Sequence, residues 1–371
     1  MHCKCNYNIM KRYALILLPM LLCMVGCSRP KTITQTVTHV RGGFHGNTPW
    51  YMDMQATCLI TDNDSIWFVR TDTTDERKPV FILLQGSTPM PLVTTYGEQC
   101  WTGHFHILDS SIMHDFHVVE IAMPNTPWIT DYRTLDRQHA YTPTGKDYDY
   151  DKTYLKRNHL DTYVGRANEV VNYISKQAWA DSIVVFGHSQ GAYIAAALAA
   201  KNNHVAAVGF SATSPFGRVQ GQIQSERMKV IGGYQTEEQA AAAIARQYDY
   251  FAYCSVTDDE EYMKHYSGDM PRTILSFSQP VVETLSHLRQ PLFVAYGTRD
   301  FHSLECEVLP IYFSLSGKHN YRMCPMAGRG HNYELIHADG SPDWNDMKWH
   351  EVTRLFGEFV RGADCGLAGC D

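Results

Sequence analysis

The chain has 371 residues, 44% of them hydrophobic and 19% charged, which supplies a sizeable core and excludes both a disordered acidic tail and a mini-protein that needs staples. One large domain or two small ones fit this length. The formal net charge is −7, from 32 basic and 39 acidic residues, and without a basic run it argues against a nucleic-acid partner, because phosphate neutralisation needs clustered Lys and Arg.

At the N-terminus Lys11 and Arg12 precede an apolar stretch from Tyr13 to Gly26 that is too short to span a bilayer as a helix. Residues 1–26 therefore read as an export signal. Its end, Met24-Val25-Gly26-Cys27, resembles the lipobox of bacterial lipoproteins, with Met where Leu is commoner. The resemblance implies acylation of Cys27 and a chain held to the bacterial envelope (outer membrane, periplasmic face or surface) by several acyl chains, as stable anchoring requires. An uncleaved hydrophobic anchor is the competing reading; both export the body. The polar, Thr-rich residues 27–45 read as a tether, and 46–371 as the folded domain. No later apolar run reaches 18 residues.

Of the 11 cysteines, Cys3, Cys5 and Cys23 would leave with the signal. Cys58, Cys100, Cys254, Cys306, Cys324, Cys365 and Cys370 would remain unmodified in the body. An oxidising envelope permits disulfides, and Cys365 and Cys370 are spaced to close a small terminal loop, but spacing does not dictate connectivity. No Cys-x-x-Cys pair occurs, so neither a zinc ribbon nor a thioredoxin-like site is expected.

No repeat or low-complexity tract appears, which removes solenoids and propellers. Met52 to Thr61 and Ser65 to Thr71 predict an antiparallel hairpin on the edge of a sheet. Short apolar runs bounded by turn residues then recur at Val80–Leu84, His117–Met123, Ser182–Phe186, Val205–Phe210, Pro291–Tyr296 and Tyr321–Met326, a pattern that suits strands buried on both faces. Between them, Leu155, Leu160, Val164, Ala167, Val171 and Ile174 repeat at helical spacing. Gln190 to Lys201 is alanine-rich, and Trp344, Met347, Val352, Leu355, Phe356 and Phe359 mark a last helix. Strands alternating with helices predict a mostly parallel sheet with helices on both faces. Roughly 75 residues between Phe210 and Pro291 exceed an ordinary crossover, so residues 214–289 form an insertion. Thr236 and Gln239 make a capping box ahead of Ala240–Tyr248, and the insertion reads as a partly helical lid.

Gly187-His188-Ser189-Gln190-Gly191 follows one predicted strand and opens the alanine-rich helix, the strand-turn-helix context of a nucleophile elbow. A serine hydroxyl needs a base to take its proton and a third group to orient that base. Asp300 follows the Pro291–Tyr296 strand, and His331 sits in Gly328-Arg329-Gly330-His331 after the Tyr321–Met326 strand. Competing readings are a solvated turn for Asp300, and His302 or His337 in place of His331.

From about Val80 to Val360 the chain resembles serine hydrolases of the α/β-hydrolase superfamily, closest to its esterase-like members, in which the order Ser, Asp, His recurs. The resemblance implies Ser189 as nucleophile, His331 as general base and acid, and Asp300 as the orienting acid. Ser211-Ala212-Thr213-Ser214 offers no carboxylate one strand earlier, which favours Asp300. The oxyanion donors are then the backbone of Gln190 and of Ser87 or Gly86, in a Gln85-Gly86-Ser87 turn where many members have His-Gly. His188 is a packing or rim residue. Carboxylic ester cleavage is the expected activity, on a small-molecule or polysaccharide-borne ester, with acetyl and feruloyl groups on polysaccharides suiting an exported enzyme. Thioesterase, lipase and peptidase chemistry use the same three residues, and a catalytically silent binding lipoprotein is the alternative from another class. No cofactor is called for. His104, His106, His114 and His117 include metal-like spacings, but no carboxylate and cysteine set completes a site; they read as ordinary loop and surface histidines. The Tyr-rich stretch Tyr141–Tyr154 reads as a solvated loop, with an active-site rim as the alternative. The aromatics around Cys254 read as the insertion's own apolar face.

Overall fold

The apolar runs become strands because a segment with no polar face can only be buried on both sides, and parallel pairing with helices above and below provides that burial. The computed structural model describes residues 31–45, 48–265 and 268–362. Residues 1–26, Cys27 and the Cys365–Cys370 pair lie outside this range. The strands are β1 (Lys31–His45), β2 (Thr48–Ile60), β3 (Ser65–Thr71), β4 (Lys78–Leu84), β5 (Val93–Tyr96), β6 (Gln99–Thr102), β7 (His117–Ile121), β8 (Ile129–Asp131), β9 (Ala180–His188), β10 (Val205–Ser211), β11 (Leu292–Gly297), β12 (Tyr321–Met326), β13 (Glu334–Ile336) and β14 (Pro342–Met347).

All but β13 and β14 join one sheet in the order β12-β11-β10-β9-β4-β7-β3-β2-β1-β6-β5-β8. The run from β12 to β7 is parallel throughout, and β3 then pairs antiparallel with both β7 and β2. Helices α1 (Ser110–Asp115), α2 (Lys152–Arg157), α3 (Leu160–Ile174) and α4 (Gln190–Lys201) precede an insertion of α5 (Arg218–Ile231), α6 (Glu237–Val256), α7 (Asp259–Tyr262), α8 (Pro271–Phe277) and α9 (Val282–His287). The chain closes with α10 (Leu309–Ser316) and α11 (Trp349–Arg361). Two apolar cores result, one on each side of the sheet. Ile82 joins Val185, Val208 and Val294 beneath α3 and α4, while Phe81, Phe186 and Phe293 meet Phe356 of α11 on the other face. This is the α/β-hydrolase fold, a mostly parallel central sheet flanked by helices, with a helical insertion between β10 and β11.

Four expectations differ from the structure. Residues 31–45, read as the end of a tether, form β1 and pair antiparallel with β2 from Lys31↔Ile60 to His45↔Thr48. Their threonines suggest a solvated linker by polarity, yet Thr is β-branched and favours strands. With β1, β6, β5 and β8 beyond it, the β2–β3 hairpin is internal to the sheet. The single helical repeat from Leu155 to Ile174 breaks at Asn158, whose φ of −76° and ψ of 68° leave the helix. Finally, Trp344 and Met347 lie on β14, not on the last helix, which starts at Trp349. Pro342 opens that strand and disfavours helical geometry in the residue before it. Among the described residues no helix is long and apolar enough to cross a membrane, and Cys58, Cys100, Cys254 and Cys306 are free thiols.

A buried ionic tie joins the hairpin to the helical layer. Asp64, in the β2–β3 turn, accepts from Arg157 on α2 at 3.1 Å and pairs with the buried Arg166 of α3, which also donates to the Ala122 carbonyl at 2.9 Å. Removing one partner of such a pair strands a charge away from water. Asp64→Ala is expected to lower the free energy of unfolding by about 3 kcal/mol in urea melts with the m-value preserved; a loss under about 1 kcal/mol would show that strand pairing alone holds the hairpin.

Candidate active site

The turn between β9 and α4 is built around two positions where no side chain fits. A Cβ on Gly187 would lie 2.1 Å from the Gly191 carbonyl oxygen, and a Cβ on Gly191 would lie 2.0 Å from the carbonyl oxygen of Leu84 at the end of β4. The backbone thus reverses against the neighbouring strand. Ser189, between them, takes φ 54° and ψ −119°, a conformation that costs a non-glycine residue free energy and persists only where its surroundings over-determine it. Those surroundings include its own N–H, which donates to the Ser211 carbonyl of β10 at 2.8 Å. The half-buried side chain stands at the N-terminus of α4, where unpaired N–H groups favour negative charge.

Asp300 and His331 are joined by a second close approach. A Cβ on Gly297, the last residue of β11, would meet the Arg329 and Gly330 carbonyl oxygens at 2.2 and 2.4 Å, so the loop after β12 runs directly over the end of β11. The Arg299 N–H donates to the Arg329 carbonyl at 2.8 Å and the Gly328 N–H to Thr298 Oγ1 at 2.9 Å. His331 Nδ1 consequently donates to Asp300 Oδ2 at 3.0 Å, and Ser303 Oγ donates to the same oxygen at 2.6 Å. The Asp300 side chain is 1% exposed and that of His331 36%. Burial pushes Asp300 up, but the His331 imidazole and the hydrogen bonds from His331 and Ser303 outweigh it and hold the carboxyl below its ordinary range. Burial pushes His331 down, but the Asp300 charge and hydrogen bond outweigh it and raise the imidazole above its ordinary value.

Ser189 and His331 line one cavity of about 290 Å³, together with Ser87, Gln190, Arg218 and His302. Ser189 Oγ makes no hydrogen bond among the described residues; it shares this cavity with His331 and stands unengaged. The N–H groups of Gln190, Gly86 and Ser87 likewise have no backbone acceptor among the described residues. Ser87 faces this cavity, whereas Gly86 lines a second chamber on the other side of the turn. The turn is held by Tyr154, whose hydroxyl donates to the Ser87 carbonyl at 3.2 Å, and by Gln85, whose amide donates to the Ile121 carbonyl at 3.4 Å. Tyr154 therefore belongs to the scaffold of the site, while Tyr148 in the same stretch is exposed.

The other histidines are placed differently. His302 lines the cavity, but its ring lies 6.4 Å from that of His331 and it is His331 that contacts the Asp300 carboxylate through its ring. The His337 N–H pairs with Ser341 in the β13–β14 hairpin. His188 is buried, with Nδ1 3.1 Å from Ser211 Oγ and its ring 4.5 Å from Trp349; burial and the neighbouring His331 depress its pKa well below the ordinary value. His117 is fully buried against the Glu76 carbonyl and His114 is on the surface beside Asp115, so the four histidines of the early cluster do not converge.

One part of the site carries no motif. Arg218, at the start of α5, donates to Asp269 Oδ2 at 2.8 Å and to the Gln190 side chain, and Asp269 accepts from Asn158 Nδ2 at 2.9 Å. Asn158 also accepts from the Gln190 amide at 3.3 Å and from the Tyr163 hydroxyl at 2.9 Å. This network ties the insertion and the break between α2 and α3 to the residue after Ser189. A lone Arg and a lone Asn give no spacing to detect; the only signal was Asn158 interrupting a helical repeat.

No protein-family model matches the chain, and no curated protein matches it either. Among solved structures it is similar to Est1E from Butyrivibrio proteoclasticus, at 14% identity over 83% of this chain and 98% of that one, with a TM-score of 0.48. It is similar also to a highly thermostable carboxyl esterase from Bacillus coagulans, at 13% identity over 89% and 98% of the two chains and a TM-score of 0.47. An acetyl xylan esterase from Paenibacillus sp. R4 aligns at 12% identity over 94% and 93%, with a TM-score of 0.46.

Proposed function

We propose that this chain is an exported serine hydrolase that cleaves carboxylic esters through an acyl-enzyme on Ser189. The observation that carries the reading is the approach of His331 to the buried Asp300 at 3.0 Å in the cavity that also holds Ser189 on its constrained turn. Ser189 Oγ attacks the ester carbonyl carbon while its proton passes to His331 Nε2. Catalytic hydrogen bonds often tighten only once substrate fills a site, which accommodates the unengaged hydroxyl. The carbonyl π electrons move onto oxygen, and the N–H groups of Gln190 and Ser87 hold that oxyanion. As the tetrahedral intermediate collapses, the carbon–oxygen bond to the alcohol breaks and His331 returns its proton to the leaving alkoxide. Water, losing a proton to His331, then attacks the acyl-enzyme and repeats the sequence, releasing the acid and free Ser189. Asp300 keeps the imidazole in the required tautomer and stabilises it when charged.

A fluorophosphonate probe is expected to label the protein, and Ser189→Ala to abolish both labelling and turnover of p-nitrophenyl esters. An unlabelled wild-type protein would instead favour a binding lipoprotein.

The base must be neutral to accept a proton, so the raised pKa of His331 places the acid limb of kcat/KM above the ordinary histidine value. Asp300→Asn removes the charge that raises it while burial remains. The limb is expected to move to lower pH as kcat falls by about 10⁴; an unmoved limb in a folded variant would exclude His331 as the titrating base.

The lipobox-like Met24-Val25-Gly26-Cys27 supports anchoring to the bacterial envelope through acylated Cys27. Cys27→Ala is expected to shift the protein from the membrane to the soluble fraction and to end incorporation of labelled palmitate; palmitate labelling that persists in the variant would exclude this site.

A further inference from the structure

On the far side of the Gln85–Ser87 turn from the polar cavity lies a second chamber of about 310 Å³, within the size range of small-molecule sites. A Cβ built on Gly86, which lines it, would sit 3.8 Å from Ser189 Cβ with only the His188 carbonyl oxygen also near, so one wall residue of the chamber adjoins the proposed nucleophile. Its walls are largely apolar and aromatic, formed by Met90, Ile107, Trp344, Met347 and Trp349. Trp344 and Met347 belong to the β13–β14 hairpin that follows His331.

One polar group stands out in this lining. His104 Nδ1 lies 2.5 Å from Oε1 of Glu120, a fully buried carboxylate on β7 whose Oε2 has no partner. Burial pushes His104 down, but the Glu120 charge and hydrogen bond outweigh it and raise its pKa, which favours the doubly protonated ring. With Nδ1 committed to Glu120, Nε2 is free among the described residues to meet a ligand in the chamber. His106, also in the lining, is driven down to about 4 by burial and by His104 and His350, and supplies no charge.

The proposed reaction fixes which side takes which half of the ester. His331 must protonate the leaving alcohol, and it lines the polar cavity, where Thr213, Ser214, Gln222 and Asp269 suit a hydroxyl-bearing alcohol. The acyl substituent then lies on the opposite side of the carbonyl, at Gly86. We propose, resting on the serine hydrolase reading, that the chamber is the acyl subsite, that it selects a ring-bearing acyl group over acetyl, and that His104, oriented by Glu120, donates from Nε2 to an oxygen substituent on that ring. His104 is thus a specificity-determining residue.

The test compares 4-nitrophenyl acetate, 3-phenylpropanoate and 3-(4-hydroxyphenyl)propanoate by kcat/KM. The wild type is expected to favour phenylpropanoate over acetate by about tenfold or more, and the hydroxylated ester over the plain one by about fivefold, the worth of one hydrogen bond. In His104→Asn the side-chain amide can keep the hydrogen bond to Glu120 but has nothing at the Nε2 position, so the hydroxyl preference is expected to fall to about one with the phenyl preference retained. Trp344→Ala, at a half-exposed hairpin position whose loss should not unfold the chain, is expected to lower the phenyl-to-acetate ratio about tenfold and to leave the hydroxyl preference in place. A wild type that favours acetate, or ratios unmoved in both variants, would overturn the proposal. Ser189 labelled by a fluorophosphonate in an enzyme without aryl preference overturns the acyl subsite alone, whereas absence of labelling overturns the hydrolase reading and the subsite with it.

Discussion

The close passage of three backbone segments at the end of β9 is the constraint from which the arrangement of the site follows. Gly191 lies against the Leu84 carbonyl and Gly187 against Gly191, so the chain can turn from strand to helix only where both positions lack a Cβ. The same contact presses the turn after β4 onto the start of α4, so that Ser87 and Gln190 line one cavity. Position, backbone strain and helix-terminal field at Ser189 therefore share one steric cause. The free energy that holds φ at 54° comes from the strands on either side, through Leu84↔Gly187 and His188↔Ser211 register.

The Asp300–His331 pair uses the same device one layer along. Gly297 admits the β12 loop across the end of β11, and backbone hydrogen bonds lock the two loops before either side chain is considered. Burial by itself would favour neutral forms of both groups. Their mutual attraction overrides it, so the imidazole gains proton affinity at the cost of a fully desolvated carboxylate. The second pairing, His104 with Glu120, repeats this chemistry on the opposite side of the Gln85–Ser87 turn. Of the two imidazole–carboxylate pairs, the first presents His331 to the cavity of Ser189 and the second presents His104 to an apolar chamber.

Much of the framework was legible from local pattern. The run at Val80–Leu84 is a strand because nothing polar interrupts it, Tyr321–Met326 pairs along the sheet edge despite Arg322, and the Thr236–Gln239 capping box forms with both of its hydrogen bonds. Polarity misled at Lys31–His45, where β-branched threonines make a strand on a solvated ribbon, and helical spacing misled at Trp344 and Met347, where Pro342 opens the second strand of a hairpin. Glu120 lies inside the His117–Met123 run, and no local pattern ties it to its partner His104, sixteen residues away on another segment. His104 instead drew attention for a metal-like spacing to His106.

Composition and periodicity suffice for the layered α/β architecture and for a helical insertion between two of its strands, because each of these is written in neighbours a few positions apart. The division of space around Ser189 into a polar cavity and an aromatic chamber, the preference of Asp300 for His331 over His302, and the Arg218–Asp269–Asn158 network are different in kind. They arise from side chains brought together across distances of tens to more than a hundred residues, where burial and the direction of a ring nitrogen decide what each group can do. No local pattern encodes such directions, since they are set by strand register and by how closely two loops may pass.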